Sequence, residues 1–440
     1  MKVWAIFCSF FISNYYMKFI KNQLEAYKSS ERAKQSLYLL LTNFASIPIG
    51  IVISIMLTKM LGAEGFGDYS FIVSIFTFAV LMITLGFFQS GNRVLVLNES
   101  KKRAKQYYGA ELAILLLMFF LMTVFLAIYS FTDQNLKEKG LSDIFLLLLP
   151  LSFVFLADNY IEVLLQADNR IGLLSTHRLL TKLVYAVALI AFFSISLVGK
   201  VETLVTIFYL YFLSKLLVFL FILWHLKPTF VSLSKRIKEI WFHNKTFGFN
   251  VYIGSVFAVG FTSLSPILIG YFSESNSGVG FYTLALTFSA PLAIIPSTIA
   301  TSYYKEFSKT PKIPIKLLKV TLGICILALL CIWVILPPFI NYFYGDGFKP
   351  VAMLNYIVSL GVLIHGFGDI YNRFLGANGQ AIALRNSAFI VGAGALPIGL
   401  VLIPLFGEYG AAITKLSVSC IYLGIIFWYY LSYTKCKDEV

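Results

Sequence analysis

Apolar residues run along this chain in blocks of about twenty, each long enough to cross the roughly 30 Å of hydrocarbon in a bilayer as a helix. Polar and glycine-containing turns separate the blocks, which begin near residues 37, 69, 107, 141, 173, 201, 248, 280, 316, 351, 384 and 409. The pattern predicts twelve membrane-spanning helices with short connections. One connection is longer. In residues 227–247, Leu233, Ile237, Ile240 and Trp241 share a helical face while Lys235, Arg236 and Lys238 lie elsewhere, which predicts an amphipathic helix lying on a membrane surface. Pro48, Pro150, Pro266, Pro291, Pro296 and Pro397 fall inside blocks, where each removes a backbone donor and permits a bend.

The pattern is also written twice. Gly65-Phe66-Gly67-Asp68-Tyr69-Ser70 returns 213 residues later as Gly278-Val279-Gly280-Phe281-Tyr282-Thr283. Asp158-Asn159-Tyr160 and the following Leu165-Gln166-Ala167-Asp168-Asn169 are matched by Asp369-Ile370-Tyr371 and Leu375-Gly376-Ala377-Asn378-Gly379, and Gly199 is matched by Gly407. Six blocks make up each copy, and six is even, so both halves enter the membrane in the same sense about an axis along its normal. The expected divisions are an N-terminal segment (1–35), an N-lobe (36–226), the linker (227–247), a C-lobe (248–434) and a tail (435–440). On this reading Gly65–Ser70 and its copy are hairpins that set the geometry of the repeat.

Composition agrees with a membrane chain and excludes a soluble domain: 59% of residues are hydrophobic and 13% charged, and the mean hydropathy is +0.82. The net charge of +14 would suggest nucleic acid in a soluble protein. Here topology accounts for it. Lysines and arginines gather in alternate connections, such as 101–105, 235–245 and 305–319, and the positive-inside rule therefore places both termini and the linker in the cytoplasm. The five cysteines form no metal or disulfide pattern and read as packing residues. A Gly-rich phosphate loop ending in Lys-Ser or Lys-Thr is missing from the sequence, so no ATPase is expected.

Ionisable residues inside apolar blocks are costly and mark candidate sites. Asp158 and Arg178 lie about 14 Å from the inner turn on neighbouring helices, counted at 1.5 Å per residue, and Asp369 and Arg385 repeat the arrangement. Two structural ion pairs are expected. Lys182 and Lys215 each lie about 24 Å from the outer turn at Gly199, with no counter-ion evident in the sequence. They call for an anionic ligand, an unseen partner or a water-filled cleft. His365, Asp369 and Arg373 form a stripe at i, i+4 and i+8, which could carry a proton or could simply be packing. Lys415 is close enough to the outer surface to snorkel, and Glu111 and Glu162 to the inner one.

Several landmarks resemble those of the lipid-linked oligosaccharide flippases of bacterial polysaccharide synthesis, the Wzx type within the MOP (MATE-like) superfamily. They are Leu61-Gly62-Ala63-Glu64-Gly65-Phe66-Gly67-Asp68-Tyr69-Ser70, Gly280-Phe281-Tyr282-Thr283-Leu284-Ala285, Tyr344-Gly345-Asp346-Gly347-Phe348 and Leu402 to Ala412. The resemblance implies an all-α fold of two six-helix lobes around a central cavity, and alternating access without a cofactor. It also implies undecaprenyl-diphosphate-linked oligosaccharide as the cargo, a bacterial inner-membrane location, and the pathway's polymerase and chain-length proteins as candidate partners. A cationic cavity is expected, which the depths place at Lys182, Lys215 and Arg178. The resemblance further implies a proton or Na+ gradient as energy source, for which Asp369 and His365 are the candidates. A drug exporter of the same superfamily is the alternative, weakened because residues 37–57 hold no acidic side chain. A membrane polymerase or glycosyltransferase is weaker still, because the outer loops are short.

Overall fold

The structure, a computed structural model, describes residues 31–98, 100–195 and 200–438. The interfacial N-terminal segment expected before residue 31, and Gly199 of the third landmark pair, lie outside the described residues. Among the described residues the chain is helical throughout, with no strand. Helix α1 (Glu31–Ile83) carries the first two apolar blocks and breaks at Gly62, whose φ of 70° is a conformation that glycine reaches without a Cβ penalty. Next come α2 (Phe87–Val96), α3 (Lys101–Thr132), α4 (Gln134–Glu138) and α5 (Ser142–Leu148). The N-lobe ends with α6 (Phe153–Ala167), α7 (Ile171–Ile195) and α8 (Lys200–Leu226).

The linker holds α9 (Leu233–His243) and a π-helical turn (Asn244–Gly248) that runs into α10 (Phe249–Phe272). The C-lobe continues through α11 (Ser277–Ser302), α12 (Tyr304–Phe307), α13 (Ile315–Phe343), α14 (Lys349–Ala377) and α15 (Ala381–Asp438). Helix α15 breaks at Gly407 (φ 55°), and a Cβ on Gly410 would stand 2.9 Å from Ile403 Cα, so the chain doubles back there. Among the described residues nine stretches are long and apolar enough to span, or ten if the bent pair Leu233–Phe257 and Thr262–Phe272 is one span. Two of the nine, Leu41–Ile83 and Ala381–Lys435, contain the glycine breaks. Large apolar side chains such as Leu117, Phe120, Phe125, Val334 and Ile335 point outward, as lipid-facing residues do.

Two ends can be told apart. At the hairpin end, where Gly62 and Gly407 turn the chain, one buried core runs continuously from Phe66, Phe71 and Phe208 of the N-lobe to Tyr282, Ile340 and Phe348 of the C-lobe. At the linker end the C-lobe has a separate core of its own, around Phe307, Phe374 and Tyr430. The lobes are therefore fused by apolar packing at one end and independently packed at the other.

The linker differs from its expected role. Its apolar face is turned into the protein: Ile240 is buried, and Leu233 and Ile237 pack on the N-lobe core. Arg236 is buried beneath them, donating to Gln106 Oε1 (2.9 Å) and Glu239 Oε2 (2.7 Å), while the Tyr107 hydroxyl donates to the same Glu239 oxygen (2.6 Å). Thr229 N donates to Lys105 O (2.9 Å). Sequence periodicity reveals an apolar stripe but not what covers it, and here the N-lobe does so before lipid can. Trp241, expected on that stripe, stays 50% exposed.

Candidate functional site

The repeated Gly-x-Gly segments meet each other. A Cβ on Gly67 would fall inside the contact radius of the Asn276 carbonyl and 2.9 Å from Ser277 N, and one on Gly280 would lie 3.2 Å from Gly67 N. Residues related by the 213-residue offset thus touch across the junction of the lobes, as residues on a twofold axis must. The turn itself is at Gly62, so the segment expected as a hairpin is instead a helix-on-helix contact. Polar groups ring this contact: Asn276 donates to Asp68 (2.8 Å), Lys139 donates to Asn276 Oδ1 (2.9 Å) and to the Gly270 carbonyl, and the Ser54 and Tyr344 hydroxyls are 2.6 Å apart. The Tyr129 and Tyr271 hydroxyls are 2.5 Å apart, and Tyr271 also donates to Asp133. The hairpin end is closed.

Beneath the seal lies a cavity of about 640 Å³, within the roughly 300–1,000 Å³ range of small-molecule sites. Helices α1, α6, α7 and α8 form most of its wall, and among the described residues of the C-lobe only Thr283, Leu284 and Thr287, near the start of α11, reach it. Tyr69, Tyr185 and Tyr211 make an aromatic patch, with ring centroids 6.0 Å (Tyr69 to Tyr211) and 5.1 Å (Tyr185 to Tyr211) apart. Asn43, Ser46, Ser54, Ser70, Ser74 and Thr181 supply neutral hydrogen-bonding groups.

All three expected cations line this cavity, but their partners differ from the expected ones. Arg178 forks onto Glu162, at 2.7 Å from Nε and 2.5 Å from the second nitrogen, rather than onto Asp158. Asp158 is paired with Lys215, whose ammonium also lies 4.8 Å from the Tyr211 ring centre, and His177 Nε2 stands 3.5 Å from the other Asp158 oxygen. The expectation of an unpaired Lys215 is therefore corrected. Asp158 sits one helical turn from Phe155, within reach of the long lysine side chain, and counting depth along separate helices left side-chain length out. Glu162, assigned to the surface by the same count, is drawn inward by the guanidinium. Lys182 keeps only neutral partners among the described residues, donating to Ser46 Oγ (3.1 Å) and the Ser46 carbonyl (3.4 Å). With three basic side chains against two carboxylates, the lining carries excess positive charge centred on Lys182.

The C-lobe group is assembled differently too. Arg385 is exposed and among the described residues reaches only the Asn386 amide oxygen (3.3 Å), so it does not pair with Asp369. Asp369 instead accepts from the Tyr422 hydroxyl (2.9 Å), and the His365 ring stacks on Tyr422 at 4.4 Å. Lys415, expected to snorkel outward, is turned inward, close enough to act on the charge of both Asp369 and His365. Residues missed from sequence include Tyr211 and Tyr422. Neither tyrosine stands in one of the matched landmarks, and a tyrosine inside an apolar block carries no charge to mark it. Glu111 is another correction: rather than reaching the surface it is fully buried, with both carboxyl oxygens unpartnered and its side chain against Gly91.

The family described as "Polysaccharide biosynthesis protein" matches residues 33–309. No curated protein matches in sequence. Among solved structures, lipid II flippase MurJ in an inward closed conformation superposes with a TM-score of 0.73 at 14% identity, covering 89% of this chain and 87% of MurJ. An inward-facing multidrug resistance MATE family transporter of the MOP superfamily superposes at 0.67 with 13% identity, covering 90% and 96%. An outward-facing one gives 0.56 at 13% identity, covering 91% and 94%. These likenesses establish the MATE-like fold of two helical lobes.

Proposed function

Because the chain belongs to the polysaccharide biosynthesis protein family, we propose that it is a flippase of the Wzx type. On this reading it carries oligosaccharide linked to undecaprenyl diphosphate from the cytoplasmic to the outer face of a bacterial inner membrane. The observation that carries this reading is the cavity: a lysine without a carboxylate partner beside a tyrosine patch and a row of hydroxyls and amides. The cation suits a phosphate or an acidic sugar, the flat rings suit the apolar faces of sugars, and the hydroxyls suit their edges. The linker end is assigned to the cytoplasm, since connections rich in lysine and arginine lie there. The cavity is then the inward-facing half of an alternating-access cycle, a reading supported by the fused core at the hairpin end and by the closer likeness to inward-facing relatives.

A cation exporter is less well supported. Helix α1 brings Asn43, Ser46 and Ser54 to the cavity but no carboxylate, and Asp158 and Glu162 are already held by cations. For energy coupling, Asp369 with Tyr422, His365 and Lys415 is the proposed proton or Na+ site, being a half-buried acid outside the cavity that a bound cation could neutralise.

The test is complementation of a strain lacking the gene. Lys182→Gln, at wild-type abundance in the membrane, is expected to lose most surface polysaccharide and to accumulate lipid-linked sugar on the inner face, while Lys182→Arg retains display. Full display with Lys182→Gln at normal abundance would sink the site assignment.

A further inference from the structure

Docking of the linker on the N-lobe leaves one face of α9 uncovered, and that face is not the apolar one. Lys235, Lys238 and Phe242 on α9, with Lys245 in the π-helical turn, follow at spacings of three and four residues and are all exposed. Trp241 and Phe242 are 50% and 64% exposed beside them, and just before the helix Phe230 and Val231 are 55% and 63% exposed. Lys245 Nζ lies 5.5 Å from the Trp241 ring centre, so cation and ring share one site. Ser234, Lys235, Lys238, Glu239, Phe242 and His243 line a shallow groove along this face. The one carboxylate in it, Glu239, is committed to Arg236 and Tyr107. The three lysines are thus left without an acidic partner among the described residues, next to aromatic rings that keep half or more of their surface uncovered, although Trp241 also touches Phe87 at 5.4 Å.

Basic ends beside exposed tryptophan and phenylalanine suit the boundary between headgroups and acyl chains. We propose that this face of the linker is a binding site for anionic phospholipid headgroups, with Trp241 and Phe242 set among the upper acyl carbons and Lys235, Lys238 and Lys245 on the phosphates. The commitment to lipid rests on charge complementarity and on position. The face belongs to the same level as the lysine-rich connections, and the rings beside it have the composition of a membrane-interface belt. Since Arg236 and Thr229 hold the linker to α3, bound lipid anchors the N-lobe rather than the C-lobe. The π-helical turn at Asn244–Gly248 then separates the anchored part from α10.

The experiment uses the full chain in nanodiscs of mixed phosphatidylglycerol and phosphatidylcholine, with bromine on the chains of one lipid at a time. The fluorescence of Trp241 is isolated by difference from Trp241→Phe. Brominated phosphatidylglycerol is expected to quench Trp241 more strongly than brominated phosphatidylcholine at equal mole fraction. Each lysine near an anionic surface is worth about five-fold in preference at ordinary ionic strength, so the excess should fall several-fold in Lys235→Gln/Lys238→Gln/Lys245→Gln and in high salt. The salt titration of the unmodified protein decides the matter if the triple variant fails to insert. Equal quenching by the two lipids, or an excess indifferent to both salt and the lysines, overturns the proposal. Equal quenching would leave the face to an acidic protein surface.

Discussion

Replacing Gly67 with alanine puts a methyl group where the backbone of Asn276 and Ser277 already stands. Ordinary Cβ contacts begin near 3.4 Å, whereas this one would lie 2.9 Å from Ser277 N and nearer still to the Asn276 carbonyl. The obstacle is backbone rather than a side chain that can swing aside, so the two helices must part by at least half an ångström. Inserting a methyl into a packed contact costs about 1–3 kcal/mol. The cost is felt only while the seal is shut, so the balance between closed and open hairpin ends should shift by roughly 5- to 150-fold toward open. Thr283→Cys, on the cavity wall just under the seal, reports this in a background with the native cysteines replaced. A membrane-impermeant maleimide added from the outer side should label it faster when Gly67→Ala is present. Gly254→Ala is the control, because a Cβ there meets nothing within 4 Å. Unchanged labelling with Gly67→Ala at normal abundance would refute the seal; faster labelling with Gly254→Ala as well would mean that general loosening, not the seal, is being read.

Three further expectations can be checked together. Lys215→Met should strand the half-buried Asp158 carboxylate and lower membrane abundance, by less than the roughly 3–5 kcal/mol that breaking a fully buried pair costs, and Asp158→Asn in the same chain should recover much of it; no recovery in the double variant speaks against the pair. Asp369→Asn should abolish dependence of transport on an ion gradient while leaving the fold intact, with Tyr422→Phe giving a partial loss, measured as surface polysaccharide before and after an uncoupler. Glu111, buried without a partner, should accept Glu111→Gln with normal abundance, whereas Glu111→Lys should prevent accumulation, since a buried unpaired charge has no compensation; equal levels of the two variants in membranes would show that this site is wet.

Much of the fold was legible because hydrophobic period and internal repetition are properties of sequence alone. Apolar blocks fix where helices cross, and the matched pairs Gly67 with Gly280 and Asp158 with Asp369 reveal the doubled architecture. The partners within the site were not legible. Depth along a helix says at what level a charge lies, yet it says nothing of rotation or of how far a side chain reaches. Arg178 therefore selects Glu162, one turn nearer the linker end than Asp158, and Lys215 on α8 selects Asp158 on α6. The same blindness to rotation puts Lys415 at the surface, although it lies close enough for its charge to act on Asp369, and assigns the apolar stripe of α9 to lipid when the N-lobe covers it. Among the described residues the hydrogen-bond partners of Lys182 are the neutral hydroxyl and carbonyl of Ser46.

The contact between Gly67 and Gly280 also decides where a membrane voltage falls. A cavity continuous with the cytoplasm is held near the cytoplasmic potential, so in the proposed inward-facing state the voltage drops across the thin plug at the hairpin end. A phosphate resting near Lys182 has then crossed almost none of the field. When the plug parts and the linker end closes, the same phosphate finds itself on the outer side of the drop. For an interior that is electrically negative, moving each negative charge outward gains about 2.3 kcal/mol per 100 mV. An anionic cargo would thus be expelled partly by the voltage itself, and the thinner the glycine plug, the more sharply that push is delivered in the single step that opens it.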